Sequence, residues 1–291
     1  MIAYGSLMSG LGLSPLGRLR VARAARVALH NVRRGFAKHS QRGNRFAMVL
    51  DPIDDGVGIE AQILAADEPA ATAPEGLLLE VSPAILMSIA KREAYDPNAL
   101  MTLQRAAAGE GMSLAEYLWA RLTDSGLDTA AYRARLFEQL DYTSAHYIPH
   151  PVSLGGTQRG LTFLAPGREG SGSARVVPVR VRTGNGPLLT AAGAWSERPN
   201  ETQLDYLTTC FLGAQHGICL RDLIDEVDPS SELERLLRAS LARHRPGELQ
   251  RFLAATGVAA ETYRSLFGDP ETLPARSGLS HLLSEQPTGA R

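Results

Sequence analysis

Two short stretches of the chain carry residue types whose positions could support chemistry. The first is Tyr4-Gly5-Ser6-Leu7, which follows the mainly apolar run Met1 to Ala3. A strand that enters a Gly-Ser turn can direct successive backbone N–H groups into one concavity, which suits a carboxylate or a polarised carbonyl oxygen. Glycine permits the close backbone approach that such a cradle needs. The plain alternative is an ordinary turn with Tyr4 packed in the core.

The second stretch, Arg92-Glu93-Ala94-Tyr95, stands at the end of a predicted helix that begins at Pro83. The negative end of the helix macrodipole disfavours a carboxylate in the last turn by about 0.3–1 kcal/mol. Burial at that position would raise the pKa of Glu93, which suits a general acid and base. The plain alternative is a solvated glutamate that Arg92 neutralises.

Signatures of several other chemistries are absent from the sequence. It contains no G-x-x-x-x-G-K-[ST], no H-E-x-x-H, no G-x-S-x-G and no strand-turn-helix G-x-G-x-x-G. His146 and His150 are four residues apart, but Pro149 between them argues against a shared helical face. Cys210 and Cys219 have no companion ligand at metal-binding spacing. These absences argue against ATP, zinc-protease, lipase-type and dinucleotide chemistry, and against a metal site.

The overall charge and hydropathy favour a small, polar ligand. Thirty basic residues against 31 acidic ones leave a net charge of −1, which removes the electrostatic argument for a nucleic-acid or anionic-membrane partner.

No run of about 18 apolar residues occurs, and the first residues lack the basic-then-apolar order of a signal peptide. These observations predict a cytoplasmic protein.

Short strands separated by Gly, Pro and Asp clusters must position the two stretches. This spacing predicts a barrel or a strongly curved antiparallel sheet. The predicted strands are Met1–Tyr4, 25–29, 35–38, 45–50, 57–64, 76–81, 145–154, 161–164 and 176–181.

Helical spacing dominates the rest of the chain. Ser82-Pro83 supplies an N-cap and a first-turn proline, and Asp96-Pro97 ends that helix near Glu93. A helical insertion follows at about 99–140, where Ser113 and Glu116 form a potential capping box. Further helices are predicted at 204–215, 220–227, 233–244, 249–255 and 261–267.

Taken together, the motifs resemble the γ-glutamylcyclotransferase superfamily, and most closely its ChaC-type, glutathione-degrading branch. The likeness covers residues 2–96 and, more weakly, 145–227. Tyr4-Gly5-Ser6-Leu7 is similar to the Y-G-S-L turn of the family, and Arg92-Glu93-Ala94-Tyr95 to its R-E-x-Y signature. The other matching segments are Arg33-Arg34-Gly35-Phe36, Ser40-Gln41-Arg42-Gly43, Gly76 to Val81, and Asn200 to Val227 through Tyr206, Leu207, Gly217, Asp222, Leu223 and Val227.

The helical residues 201–291 are expected to form a C-terminal extension that packs on the preceding domain. For that domain, residues 1–200, the resemblance implies an α+β fold: a closed antiparallel β-barrel with flanking helices. It further implies that a γ-glutamyl group is released as 5-oxoproline without a cofactor. Glu93 would act as the acid and base, Tyr4, Gly5, Ser6 and Leu7 would hold the substrate, and Tyr95 and Tyr147 would form walls of the site. Packing is the plain alternative for both tyrosines.

Two departures from the branch pattern keep other functions open. The D-H pair of its S-x-D-H-R-G stretch is missing around Gln41, and the insertion at 99–140 is long. A cyclotransferase that acts on γ-glutamylamines or deprotects a natural-product amine is one alternative. Others are a non-catalytic γ-glutamyl-binding protein, or a helical interaction module that carries an incidental β-domain.

Overall fold

The computed structural model describes residues 1–40, 45–52, 58–65, 68, 73–92, 97–127, 131–132, 135, 147–164, 201–213 and 232–267. These residues form a mixed α+β fold. The strands are β1 Ile2–Ala3, β2 Arg23–His30, β3 Val32–Ser40, β4 Arg45–Pro52, β5 Ile59–Ile63, β6 Glu75–Glu80, β7 Ile148–Ser153 and β8 Arg159–Leu164. The α-helices are α1 Gly10–Leu13, α2 Pro83–Arg92, α3 Pro97–Gly109, α4 Leu114–Asp124, α5 Glu201–Gly213, α6 Glu232–His244, α7 Glu248–Thr256 and α8 Ala260–Phe267.

Six of these strands form one sheet in the order β1-β6-β2-β5-β7-β8, and β3 pairs with β4 in a separate hairpin. Four of the five pairings in the larger sheet are antiparallel. β5 and β7, however, pair in parallel through Ile59 with Val152 and Glu60 with Ser153. The expectation of a wholly antiparallel sheet is therefore not confirmed, because strands from the two sides of the helical insertion meet in the same direction.

The sheet curls until its two edges approach each other. Thr162 on β8 donates a hydrogen bond to the carbonyl of Ile2 on β1 through Oγ1, at 3.2 Å. The Tyr4 hydroxyl donates to the carbonyl of Phe163 at 2.5 Å. The two edges thus meet through hydrogen bonds from side chains to backbone carbonyls and do not pair as strands. The sheet is therefore barrel-like and nearly closed.

The central strand β2 lies between β5 and β6, and its residues from Ala25 to Leu29 are all buried or nearly so. Continuous burial is typical of a strand that is covered on both faces. Arg26 is the charged residue in this run, and its Nη2 lies 2.7 Å from Oε1 of Glu75 on β6. This pairing allows a charge to be tolerated inside the sheet.

Local signals located α2 to α8 within a few residues, whereas α1 was not predicted from the sequence. Ser82 caps α2 by accepting from the Ile85 amide at 3.4 Å. The capping box of α4 is formed, with Ser113 and Glu116 bonded in both directions. The insertion contains α3 and α4, and α5 to α8 match four of the five predicted C-terminal helices within a few residues. The predicted strand at 176–181 and helix at 220–227 lie outside the described residues.

Two hydrophobic clusters both include residues of α2, and both pack against Met1 and Val81. One combines β1 and the Gly5–Met8 segment with α1, β6, α2, α7 and α8; its members include Leu7, Met8, Ile89, Phe252 and Tyr263. The other packs α2, α3 and α4 against β4, Tyr147 and β8. Among the described helices, none combines the length and the apolar character that a membrane crossing requires.

Candidate functional site

The Tyr4–Leu7 segment leaves β1 through an extended residue and a left-handed glycine. Tyr4 has φ −144° and ψ 169°, and Gly5 has φ +58°. Glycine adopts a positive φ without the Cβ clash that other residues suffer. Residues Gly5–Met8 then form a short 3-10 helix, called the 3-10 turn below, whose residues are all buried. Packing rather than solvent therefore sets its conformation.

Of the backbone amides of Gly5, Ser6 and Leu7, the first two have no acceptor inside the 3-10 turn. The Leu7 amide donates to the Tyr4 carbonyl at 3.3 Å. The geometry of a 3-10 helix leaves the first two amides, those of Gly5 and Ser6, without an acceptor inside the helix. The Tyr4 side chain does not cap them, because its hydroxyl is bonded to Phe163. Tyr4 consequently ties the turn to β8.

Met48 on β4 connects the turn to two tyrosines. Its amide donates to the Tyr206 hydroxyl at 2.8 Å, and its carbonyl accepts from the Tyr147 hydroxyl at 3.5 Å. A Cβ placed on Gly5 would lie 3.3 Å from Cβ of Met48 and 3.4 Å from the Tyr206 hydroxyl. Tyr147 and the 3-10 turn, which are far apart in sequence, therefore contact the same residue.

The helix that precedes Glu93 contributes residues to both of the hydrophobic clusters described above. α2 ends at Arg92, and its last turn carries Lys91 and Arg92, the cations that this end of a helix prefers. Ile89 packs in the cluster that contains Leu7, and Ala90 in the one that contains Tyr147. Glu93 and Tyr95 themselves lie outside the described residues, so their placement stays a prediction.

Sequence reasoning missed the roles of Tyr206 and Glu248. Tyr206 was identified only as part of a motif, and no local signal indicated that its hydroxyl would bond to Met48. Glu248 in the first turn of α7 has the pattern of a surface acid at a helix N-terminus. Its side chain is instead 1% exposed, and this burial raises its pKa to about 7. Hydrogen bonds from the Gly10 and Leu11 amides and the charge of Arg251 act in the opposite direction.

The residues that the structure describes contain no ligand set for a metal ion. No group of three or more His, Cys, Asp or Glu side chains there could hold a metal ion. His150, for example, lies in β7, fully buried, with Nδ1 2.8 Å from the Pro151 carbonyl.

The arrangement defines a class: a mixed α+β protein whose nearly closed sheet carries a buried, glycine-initiated turn at the end of its first strand. Comparison of the chain with family models, with curated proteins and with solved structures gives no match. The likeness to γ-glutamylcyclotransferases therefore rests on the sequence motifs alone.

Proposed function

We propose that the protein is a γ-glutamylcyclotransferase that releases 5-oxoproline from a γ-glutamyl peptide similar to glutathione. The observation that best supports this function is the meeting of the 3-10 turn and Tyr147 at Met48, although the three come from distant parts of the sequence. The last turns of α2 contribute Ile89 and Ala90 to the hydrophobic clusters that contain Leu7 and Tyr147. In this assignment Glu93, which directly follows α2 in the sequence, acts beside the turn.

The reaction is an internal acyl transfer. The α-amine of the γ-glutamyl group attacks its own γ-carbonyl carbon, a C–N bond forms, and the bond to the leaving amine breaks. Nucleophile and electrophile belong to one molecule, so the protein has to fold the side chain back, which is a proximity effect. The amides of Gly5 and Ser6 would stabilise the negative charge that develops on the carbonyl oxygen.

Glu93 would carry the proton between the two nitrogens. Its carboxylate accepts a proton from the attacking amine, and the resulting acid donates it to the departing nitrogen. A positioned acid and base of this kind contributes about 10²–10⁴ in rate. The balance of protons needs no metal and no organic cofactor.

The finer features of the fold belong to the same proposal. A closed barrel of the cyclotransferase type would place the end of β1 at the mouth of the barrel. The contacts of Thr162 and Tyr4 between β1 and β8 support this reading, because they bring the two edges of the sheet together.

Substitution of Glu93 tests the assignment. We expect Glu93→Gln to retain the fold and substrate binding and to lose at least about 100-fold in turnover, because the amide cannot accept the proton. The matched control is Glu60→Gln, since Glu60 is exposed on β5. The measurement is 5-oxoproline release by mass spectrometry, with binding followed by calorimetry. Near-normal turnover in Glu93→Gln would exclude the assignment.

The insertion favours a second candidate within the same chemistry. Leu100, Leu103, Leu114 and Leu118 from α3 and α4 pack in the cluster that contains Tyr147. An insertion that supports this wall could change the leaving group, as in an enzyme for γ-glutamylamines or for a γ-glutamyl-protected natural-product amine. Release of 5-oxoproline from glutathione, γ-glutamyl amino acids and γ-glutamylamines, measured side by side, separates these substrates. Binding without product in every case would favour a non-catalytic γ-glutamyl-binding protein.

A further inference from the structure

The C-terminal helices hold the first helix of the chain through a buried carboxylate. Glu248 is the first residue of α7, and its side chain is 1% exposed. Its Oε1 accepts a short hydrogen bond from the Gly10 amide, and its Oε2 accepts from the Leu11 amide at 3.2 Å. Both donors belong to the first turn of α1, whose amides have no acceptor inside the helix.

Backbone contact between α1 and α7 makes this anchor specific. A Cβ on Gly10 would lie 2.8 Å from the backbone of both Arg251 and Phe252, a distance that real Cβ atoms essentially never show. No side chain fits between the two helices at this point. The backbone of α7 therefore sets the position of α1 directly.

On its other side, α1 holds the 3-10 turn. A Cβ on Gly12 would overlap the Ser6 carbonyl group, with 2.7 Å to its carbon. The Ser9 hydroxyl donates to the Ser6 carbonyl at 3.3 Å and accepts from the Gly12 amide at 3.0 Å. Because the peptide bond is planar, orienting the Ser6 carbonyl also orients the Leu7 amide.

Among the described residues, Arg251 is the charged side chain that pairs with Glu248. Arg251 on the same helix lies 3.6 Å from Oε2 and is 28% exposed. The facing helix α1 has the sequence Gly-Leu-Gly-Leu and carries no ionisable side chain. Behind it, Phe252 packs against the rings of Tyr263 and Phe267. The partners of the carboxyl group among the described residues are thus the two α1 amides and Arg251.

We propose that Glu248 is a positioning residue for the Tyr4–Leu7 turn: it holds α1, and α1 holds the Ser6 carbonyl. The structural part of this proposal stands on these contacts alone. The expected effect on turnover rests on the proposed function. The residue would act through α1 without touching the substrate.

Amide exchange measured by NMR tests the structural part. Glu248→Leu removes both acceptors, whereas Glu248→Gln keeps one, so exchange in the Leu variant should be faster. The reporters are the Leu13 amide in α1 and the Leu7 amide in the turn, both of which are hydrogen-bonded. We expect exchange at both to rise at least about tenfold in Glu248→Leu, and Gln to restore most of the protection. Glu261→Leu, at an exposed position of α8, is the matched control and should change neither.

Unchanged exchange at Leu7 in Glu248→Leu would overturn the proposal, whether or not exchange at Leu13 rises. If Glu248→Leu does not fold, Ser9→Ala serves instead. It breaks the link between α1 and Ser6 with Glu248 still in place, and exchange at Leu7 should again rise about tenfold. No change at Leu7 in Ser9→Ala contradicts the proposed route.

Kinetics test the consequence for turnover separately. Since the turn orients the reacting group, Glu248→Leu should lower kcat for 5-oxoproline release about tenfold with a smaller change in KM, and Glu248→Gln should recover most of it. If the wild-type protein releases no 5-oxoproline, the proposed function fails, and the exchange measurements still decide the positioning role. If the wild type is active and Glu248→Leu matches it, only the positioning role fails.

Discussion

Gly5 has the backbone conformation on which the proposed cradle depends. Its φ of +58° turns the chain out of β1, and its missing Cβ leaves room for Met48 and the Tyr206 hydroxyl. A side chain at this position would incur the conformational cost of a positive φ, and it would also crowd the Met48 side chain. The two effects can be separated by experiment.

We predict that Gly5→Ala lowers the free energy of unfolding by more than Gly126→Ala does. Gly126 has a similar φ of +63°, but a Cβ added there would meet no heavy atom of the described residues within 4 Å. Its substitution should therefore cost only the conformational free energy of a positive φ, about 1–2 kcal/mol. Gly5→Ala adds the contact at 3.3 Å to Met48. Urea denaturation of both variants measures the difference; equal losses would mean that Met48 moves aside freely.

The carboxyl group of Glu248 makes stability depend on pH. Burial raises its pKa from 4.5 to about 7 in the folded protein. Between these two values the folded state holds a proton that the unfolded state has released. Stability therefore falls as pH rises from about 4.5 to about 7, and the loss is complete above the folded pKa.

We predict that Glu248→Gln removes this fall in stability. A shift from 4.5 to about 7 corresponds to about 3 kcal/mol of unfolding free energy. The stability of the variant relative to the wild type should accordingly increase by about that amount between about pH 4.5 and about pH 8. Urea titrations at several pH values measure it. Parallel pH profiles for the two proteins would show that the pKa of Glu248 is not raised.

At the scale of elements, α1 exists only through its neighbours. It has four residues, too few to be stable alone, and two of them are glycines that permit direct backbone contact with α7 and the 3-10 turn. Gly213 at the end of α5 makes a similar approach, since a Cβ added there would lie 2.8 Å from the Ser9 amide nitrogen. Helix packing here is therefore limited by backbone atoms rather than by side chains.

We predict that Gly12→Ala costs about 3 kcal/mol or prevents folding, because its Cβ would overlap the Ser6 carbonyl. Gly109→Ala at the end of α3 is the matched control, since a Cβ there meets nothing within 4 Å. Its stability should be unchanged or higher by up to about 1 kcal/mol, as alanine favours helix. Thermal and urea unfolding check both; a tolerated Gly12→Ala would disprove the close approach.

Across the whole molecule, the N-terminal turn and the C-terminal helices share one core. Phe252, Tyr263 and Phe267 from α7 and α8 pack with Leu7, Met8 and residues of β6 in the same cluster. Main-chain bonds add to this contact: the Leu19 and Val21 amides donate to the carbonyls of Ala255 and Thr256. These contacts couple the last described helices of the predicted extension at 201–291 to the N-terminal part of the chain.

We predict one cooperative unfolding transition for the whole chain. Tyr263→Ala, at a position 1% exposed, should lower the midpoint of that single transition, whereas Ser265→Ala on the exposed face of α8 should leave it unchanged. Scanning calorimetry tests this through the ratio of van't Hoff to calorimetric enthalpy. Two separate transitions, with only one displaced by Tyr263→Ala, would indicate that the extension folds independently.

Much of the fold followed from local signals. Proline and serine marked the start of α2, the Ser113 and Glu116 pair marked α4, and period-two and period-three-to-four patterns located the strands and helices. The turn after β1 was likewise predicted from Gly5 and Ser6. Each of these signals acts within a few residues, which is why one sequence can reveal it.

What the sequence by itself determined is therefore the order of elements and the position of the turn in the chain. Only the tertiary structure decided the parallel pairing of β5 with β7. It also decided the hydrogen bond between Tyr206 and Met48, which are 158 positions apart, and the one between Glu248 and Gly10, which are 238 positions apart. These contacts arise when folded elements pack together. Because they depend on distances in space between residues far apart in the chain, no local spacing or periodicity could predict them.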